Sequence, residues 1–385
     1  MSAEFTGLTW DHPRGYDALA EAARLANKDR PTPLLHWDKQ PLEGFESAPI
    51  AELAAAYDLL VLDHPHIGEA VADDCLIPLD QLYEPEKLKR WRAQSIGPSL
   101  ASYAWRGRVW ALPLDVATQV MARRPDRLAD PPRSWDEVMS VAEAVPIALS
   151  IAGPHALLTW FSLAASSGAV PRGDDLLPDE PALAALDRMH KLHSVSIPES
   201  RDLNPIALLE RMARGDDLVL VPLVFGYVTY AVAGHAPSKV AFSDTPREPR
   251  GHGGVLGGTG IAFTKRSEPS AALLEHIAWL LDEVTQTRFL PANGGQPSAR
   301  AAWRDETVNE RWGHFYRSTF VTAEAALLRP RFDGYIRFQS RAGELIRQAL
   351  AARDAPEKTL SRVRILWREA RATARDGLDD DRGQP

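Results

Sequence analysis

The sequence predicts an α/β fold in two lobes, and three observations carry that prediction. At 385 residues the chain exceeds what one compact core holds. Its start alternates short apolar runs with helical periodicity, a β-α-β-α-β order that favours a parallel sheet with right-handed crossovers. A second apolar run recurs far downstream at 218–225, and from Pro269 onward the pattern is almost wholly helical.

Taken in order, a first strand is expected at about 5–10, then a helix over 16–27, where Leu19, Ala22, Ala23 and Ala26 recur at helical spacing. A strand at 34–37 and a short helix at 50–56 lead to Leu59-Leu60-Val61-Leu62, a continuous apolar run of the kind buried on both faces. It stops at Asp63-His64-Pro65-His66, because proline cannot extend the ladder. Helical segments follow at 68–72 and 86–103, the second broken at Gly97-Pro98. The run 109–115 reads as a strand interrupted by Pro113, with a separate strand at 118–122 and a crossover between lobes near that proline. Ser134-Trp135-Asp136-Glu137 fits a capping box that opens a helix. Next come a strand at 146–151, helices at 154–167 and 181–193, and a helix start at Asn204-Pro205. The strand 218–225 ends among Phe225, Tyr227 and Tyr230, and the glycine-rich stretch 251–260 runs into a returning strand at 261–263. Helices are expected at 271–281, 305–319, 322–328, 335–352 and 356–374, with a frayed acidic tail at 376–385.

Composition excludes several function classes. A net charge of -8 with arginine scattered rather than clustered argues against a nucleic-acid partner. One cysteine, Cys75, rules out an internal disulfide and reads as a small buried hydrophobe. No run reaches the roughly 20 apolar residues a membrane helix needs, so no membrane insertion is expected. The start as written has no basic region ahead of an apolar run, which predicts a cytoplasmic chain; a natural start carrying a signal peptide would place it outside the cytoplasm. No serine elbow, P-loop, metzincin helix or Rossmann glycine pattern is present, and no cofactor is expected.

Polar and aromatic residues concentrate where strands end. In Trp10-Asp11-His12-Pro13-Arg14, tryptophan can stack on the apolar face of a sugar, aspartate can accept from hydroxyls, and arginine can clamp a carboxylate. The structural alternative is a loop in which Asp11 caps the next helix and pairs with Arg14. Asp63, His64 and His66 are candidates for ligand hydroxyls. His-x-His on an extended segment would also turn both rings to one side, but no metal is expected there. Trp37, Asp115 just past the crossover proline, His155 and Trp160 on one helix, Tyr227 and Arg331 complete the candidate ligand contacts. Were the chain an enzyme, His12, Asp63 and His64 would supply the acid–base pair.

Several motifs carry a resemblance that covers almost the whole chain. They are the segment 57–80 with its "IPLD" turn, Arg106-Gly107-Arg108-Val109-Trp110-Ala111-Leu112-Pro113, and Pro132-Arg133-Ser134-Trp135-Asp136-Glu137. Gly254-Val255-Leu256-Gly257-Gly258-Thr259-Gly260-Ile261-Ala262 and Asn293-Gly294-Gly295-Gln296-Pro297 continue the series. In order and spacing the chain resembles the family 1 extracellular solute-binding proteins, the sugar-type receptors of ABC importers. Thr259 departs from the pattern, since many members place a tryptophan in that returning strand, and members are normally exported.

The resemblance implies a type II periplasmic-binding-protein-like fold with discontinuous lobes, a hinge and a helical C-terminal region. Residues 1–112 with 254–302 would form the first lobe, and 113–253 with 303–375 the second. It implies reversible binding of a small polar ligand (a sugar, sugar acid or glycoside) by cleft closure, with an ABC permease as partner if the chain is exported. The alternatives are an intracellular enzyme on the same scaffold and a sensor domain.

Overall fold

The computed structural model describes residues 3–215, 217–248 and 251–375; the expected tail at 376–385 lies outside the described residues. Strand β1 (Phe5–Trp10) leads through helix α1 (Pro13–Asn27) to β2 (Leu35–Gln40), and β3 (Leu59–Leu62) follows. β1 pairs parallel with both β2 and β3, as the β-α-β-α-β order predicts. All four residues of β3 are buried, which accounts for its lack of polar alternation.

Two long strands link the parallel β1–β3 region to the rest of the sheet. β4 (Leu112–Arg123) and β6 (Leu256–Thr264) pair antiparallel, and β6 also pairs antiparallel with β3. The far half of β4 turns to β5 (Leu220–Phe225), giving the path β2-β1-β3-β6-β4-β5. The expected break at Pro113 does not occur: 109–115 and 118–122 are not separate strands, and β4 is continuous from Leu112. Pro113 lies opposite Gly260, where the register shifts between Thr259 and Gly260, so the missing N–H falls at an irregularity in the ladder. Gly258 sits there with φ +111°, and a Cβ on it would lie 2.2 Å from the Asp115 carbonyl oxygen; only glycine fits.

Helices α2 (His155–Ser166) and α3 (Asp179–Val195) cover the β5 side of the sheet, and α4 (Tyr335–Ala352) and α5 (Pro356–Ala372) pack onto them. Phe332, Phe338 and Trp367 interlock there, with ring centroids 5.1 Å and 5.3 Å apart across Trp367. Two caps form close to expectation. Asn204 accepts from the Ala207 amide at 2.9 Å, and Ser134 from Glu137 at 3.2 Å. The reciprocal bond shifts by one residue, because the Glu137 carboxylate accepts from the Arg133 amide at 2.6 Å.

Four further expected elements differ. The helix expected at 86–103 ends at Gln94, ahead of Gly97-Pro98. The segment 146–151 is not a strand: Ile147 makes only isolated bridges, to Ser196 and Leu220. The helix expected at 305–319 is broken, because Gly313 and His314 both take left-handed backbone. The helix expected at 322–328 ends as Phe320–Glu324, and Leu327 instead bridges Val255 beside β6.

Candidate binding cleft

The C-terminal ends of β1 and β3 deliver side chains to a cavity of about 80 Å³. Ala117 of β4 and Gly257, Gly258 and Thr259 of β6 form part of its lining, as do the start of α2 and the first turns of α4. One end is aromatic. His12 stacks on Trp10 at 4.9 Å, Tyr227 stands edge-on to both, and Phe45 lies 5.9 Å from Trp10. Arg14 lies over the Tyr227 ring at 4.8 Å. Its guanidinium grips Asp115: Nε donates to Oδ2 at 2.9 Å, Nη2 donates to Oδ1, and Nη1 reaches the Gly226 carbonyl at 3.5 Å.

His12, not Asp11, caps α1, its Nδ1 accepting from the Arg14 amide at 3.1 Å. Burial, aided by the neighbouring Arg14 charge, pushes His12 down to about 4, so the ring is neutral at pH 7.

The other end is polar. Asp63 Oδ1 accepts from the His64 amide at 2.8 Å and lies 3.1 Å from His64 Nδ1, while Oδ2 accepts from Arg329 Nη2 at 2.5 Å. Arg329 Nε donates to the Leu256 carbonyl at 3.2 Å, Nη1 to Gln339 at 3.3 Å, and its backbone amide to His64 Nε2 at 3.4 Å. This network assigns His64 as the neutral Nδ1–H tautomer. Burial and then the Arg329 charge hold His64 down to about 4. Burial alone would raise the Asp63 carboxyl, but Arg329 and His64 outweigh it and hold it well below the usual range. Between the two ends the Thr259 hydroxyl is buried with no hydrogen-bond partner.

Of the residues proposed from sequence, the cavity brings together Trp10, Arg14, Asp63, His66, His155 and Tyr227. His12, His64 and Asp115 stand one layer behind and orient them. Four lie elsewhere. Asp11 is exposed and pairs with Lys39 at 2.7 Å. Trp37 packs against Gly7 of β1 and borders a groove beside α1, because alternation along β2 turns it away from the cleft. Trp160 is fully buried, its Nε1 donating to the Ala182 carbonyl at 2.9 Å. Arg331 is spent on the Ala101 and Ser102 carbonyls at 2.9 Å and 3.2 Å.

Sequence reasoning missed Arg329, Gln339 and Phe45. In Arg329-Pro330-Arg331 the arginine before the proline reaches the cleft, and the pair of arginines was the available signal. His64 and His66 lie on a 3-10 turn that Pro65 helps set, so they do not form the extended His-x-His pair. No cluster of three His, Cys, Asp or Glu suited to a metal ion occurs among the described residues. Burial pushes the Cys75 thiol up to about 12, aided by nearby Asp73.

The mixed α/β fold is that of the two-lobe periplasmic-binding-protein-like class. Residues 46–207 match the family model described as bacterial extracellular solute-binding protein, in agreement over that stretch with the resemblance read from the motifs. An ABC transporter solute-binding protein from Agrobacterium radiobacter, in complex with ribitol, superposes with TM-score 0.78 at 17% identity, covering 95% of this chain and 98% of that one. Another from Thermotoga lettingae, bound with alpha-D-tagatose, gives TM-score 0.78 at 15% identity over 96% and 100%. The maltose-bound MalE3 of T. maritima gives 0.77 at 18% over 94% and 98%. No curated protein matches the sequence. Among the described residues no helix is long and apolar enough to cross a membrane.

Proposed function

We propose that this chain is a solute-binding protein of the ABC-importer type, capturing a small hydroxylated ligand reversibly as its lobes close. One observation carries the reading most directly. β4 and β6 run side by side through the sheet, and the cavity they help line is also walled by Trp10 of β1, Asp63 just after β3, and side chains of α2 and α4. Ligand contacts on both sides exist together only in the closed form, so binding favours closure. The lobes would divide near Pro113 and Gly254, with 303–375 belonging to the second. Trp10, Arg14, Asp63, His66, His155, Tyr227, Arg329 and Gln339 would touch the ligand. A sugar acid held by Arg14 does not fit, because Asp115 already occupies that guanidinium. The relatives' sugar and polyol ligands support the hydroxylated class, and an ABC permease is the partner that class implies.

The enzyme alternative gains nothing from the geometry. His64 has both ring nitrogens engaged, and His12 lies in the aromatic end, apart from the Asp63 network. Saturation-transfer NMR against sugars, polyols, glycosides and simple alcohols, with small-angle scattering alongside, tests the proposal. A bound class whose spectrum stays unchanged overnight, with a contracted radius of gyration, is expected. Turnover, or binding without contraction, refutes it.

A further inference from the structure

Strand β6 meets the cavity as Gly257-Gly258-Thr259-Gly260, so Thr259 is the side chain this stretch presents. Its neighbours have no room for one. A Cβ on Gly257 would lie 2.6 Å from the Phe225 ring, and one on Gly260 would lie 2.6 Å from the Tyr103 ring. Thr259 lines the cavity together with Gly257 and Gly258, is 3% exposed, and has a hydroxyl without a hydrogen-bond partner. The charged side chains at either end of the cavity do not reach it, because Arg14 is held by Asp115 and Arg329 by Asp63. The Trp10 indole N–H is unpartnered as well, but that nitrogen packs onto Gly15 of α1.

A buried hydroxyl without a bond costs free energy that a methyl group in its place avoids. Packing in the strand would be served by valine, which is β-branched and has nearly the same shape. The hydroxyl is therefore a local cost to the ligand-free protein, and a ligand can remove it. A hydroxyl both donates and accepts, so a ligand hydroxyl is its natural complement.

Resting on the cleft-binding reading, we infer that Thr259 is a specificity-determining contact, its hydroxyl exchanging a hydrogen bond with a hydroxyl of the ligand. The bare backbone of Gly257 and Gly258 beside it lets the ligand approach β6 closely. This part of the cavity reads one oxygen of the ligand and disfavours a molecule lacking that oxygen, which would leave Thr259 buried and unbonded.

Isothermal titration of the full chain, Thr259→Val and Thr259→Ser at pH 7.5 tests this, with ribitol, D-mannitol, D-tagatose, D-glucose and maltose as probes. Urea unfolding of the ligand-free proteins runs alongside. Every probe that binds the unaltered chain is expected to bind Thr259→Val about five- to tenfold more weakly, and Thr259→Ser within about twofold. Ligand-free Thr259→Val should unfold at the same urea concentration as the unaltered chain. Binding that Thr259→Val leaves within about twofold, or a loss that Thr259→Ser shares, overturns the inference and leaves cleft binding standing. A valine variant that loses stability along with affinity assigns Thr259 to the fold and also overturns it. Silence from all five probes removes the inference together with the cleft reading.

Discussion

Two arginine–aspartate pairs are buried around one cleft, and they are not equivalent. Arg14–Asp115 joins the start of α1 to the crossing strand β4, and the two side chains are 4% and 5% exposed. Arg329–Asp63 joins the approach to α4 to the end of β3, and there the Asp63 side chain is 20% exposed. In the first pair the carboxylate is enclosed by protein, the Gln296 amide donating to it at 3.3 Å, and only the arginine reaches the cavity lining. In the second, the carboxylate borders the cavity. The same pairing is closed off where its carboxylate is enclosed and open to the cleft where its carboxylate borders the cavity.

Acid is the strongest way to stress both. His12 beside the first pair and His64 within the second, together with His155, are held to about 4, against an ordinary 6.5. Folded-state values below the unfolded ones mean the unfolded chain binds more protons between those limits. The stabilisation is therefore complete above about pH 6.5 and lost as pH falls toward 4, by several kcal/mol in total at about 1.4 kcal/mol per unit. Urea titrations from pH 7.5 to 4 check this. His64→Gln should flatten the profile more than His12→Gln, because His64 is the more deeply buried.

Asp115→Ala comes next. It leaves Arg14 charged in a sealed site and should cost about 3–5 kcal/mol in chemical denaturation, with Asp115→Leu combined with Arg14→Met restoring much of it. Breaking the other pair at its arginine should be milder. Arg329→Met leaves Asp63 with His64 and access to water, so about 1–3 kcal/mol is expected. The Asp63 carboxyl should then titrate closer to the ordinary range, which carbon-detected NMR would follow. Equal costs for the two arginine–aspartate disruptions would erase the distinction between the enclosed and the open carboxylate. Thr259→Val should have the smallest effect, within about 0.5 kcal/mol, since it removes an unpartnered hydroxyl and keeps a β-branched residue in a strand.

Much of the architecture was legible because its causes are short in range. The apolar run of β3, the caps at Ser134 and Asn204, and the periodicity of α4 and α5 depend on neighbours a few residues away. The lining of the cavity was legible in part. Trp10, Arg14, Asp63, His66, His155 and Tyr227 stood out because polar and aromatic residues at strand and helix ends are placed toward clefts in α/β sheets. Trp37 and Trp160 failed on the same rule, since a residue's type near an end does not say which face it takes.

By itself, then, the sequence determined most of the element order, the two-lobe α/β class, the solute-binding resemblance and the strand ends that border the cavity. Tertiary structure alone decided which partner each charge takes. Arg14 finds Asp115 at a separation of 101 residues, and Arg329 finds Asp63 at 266. Local propensity has no reach over such distances. Those pairings follow from strand register and from the bulge that seats Pro113 opposite Gly260, and they fix which charges are sealed and which border the cleft.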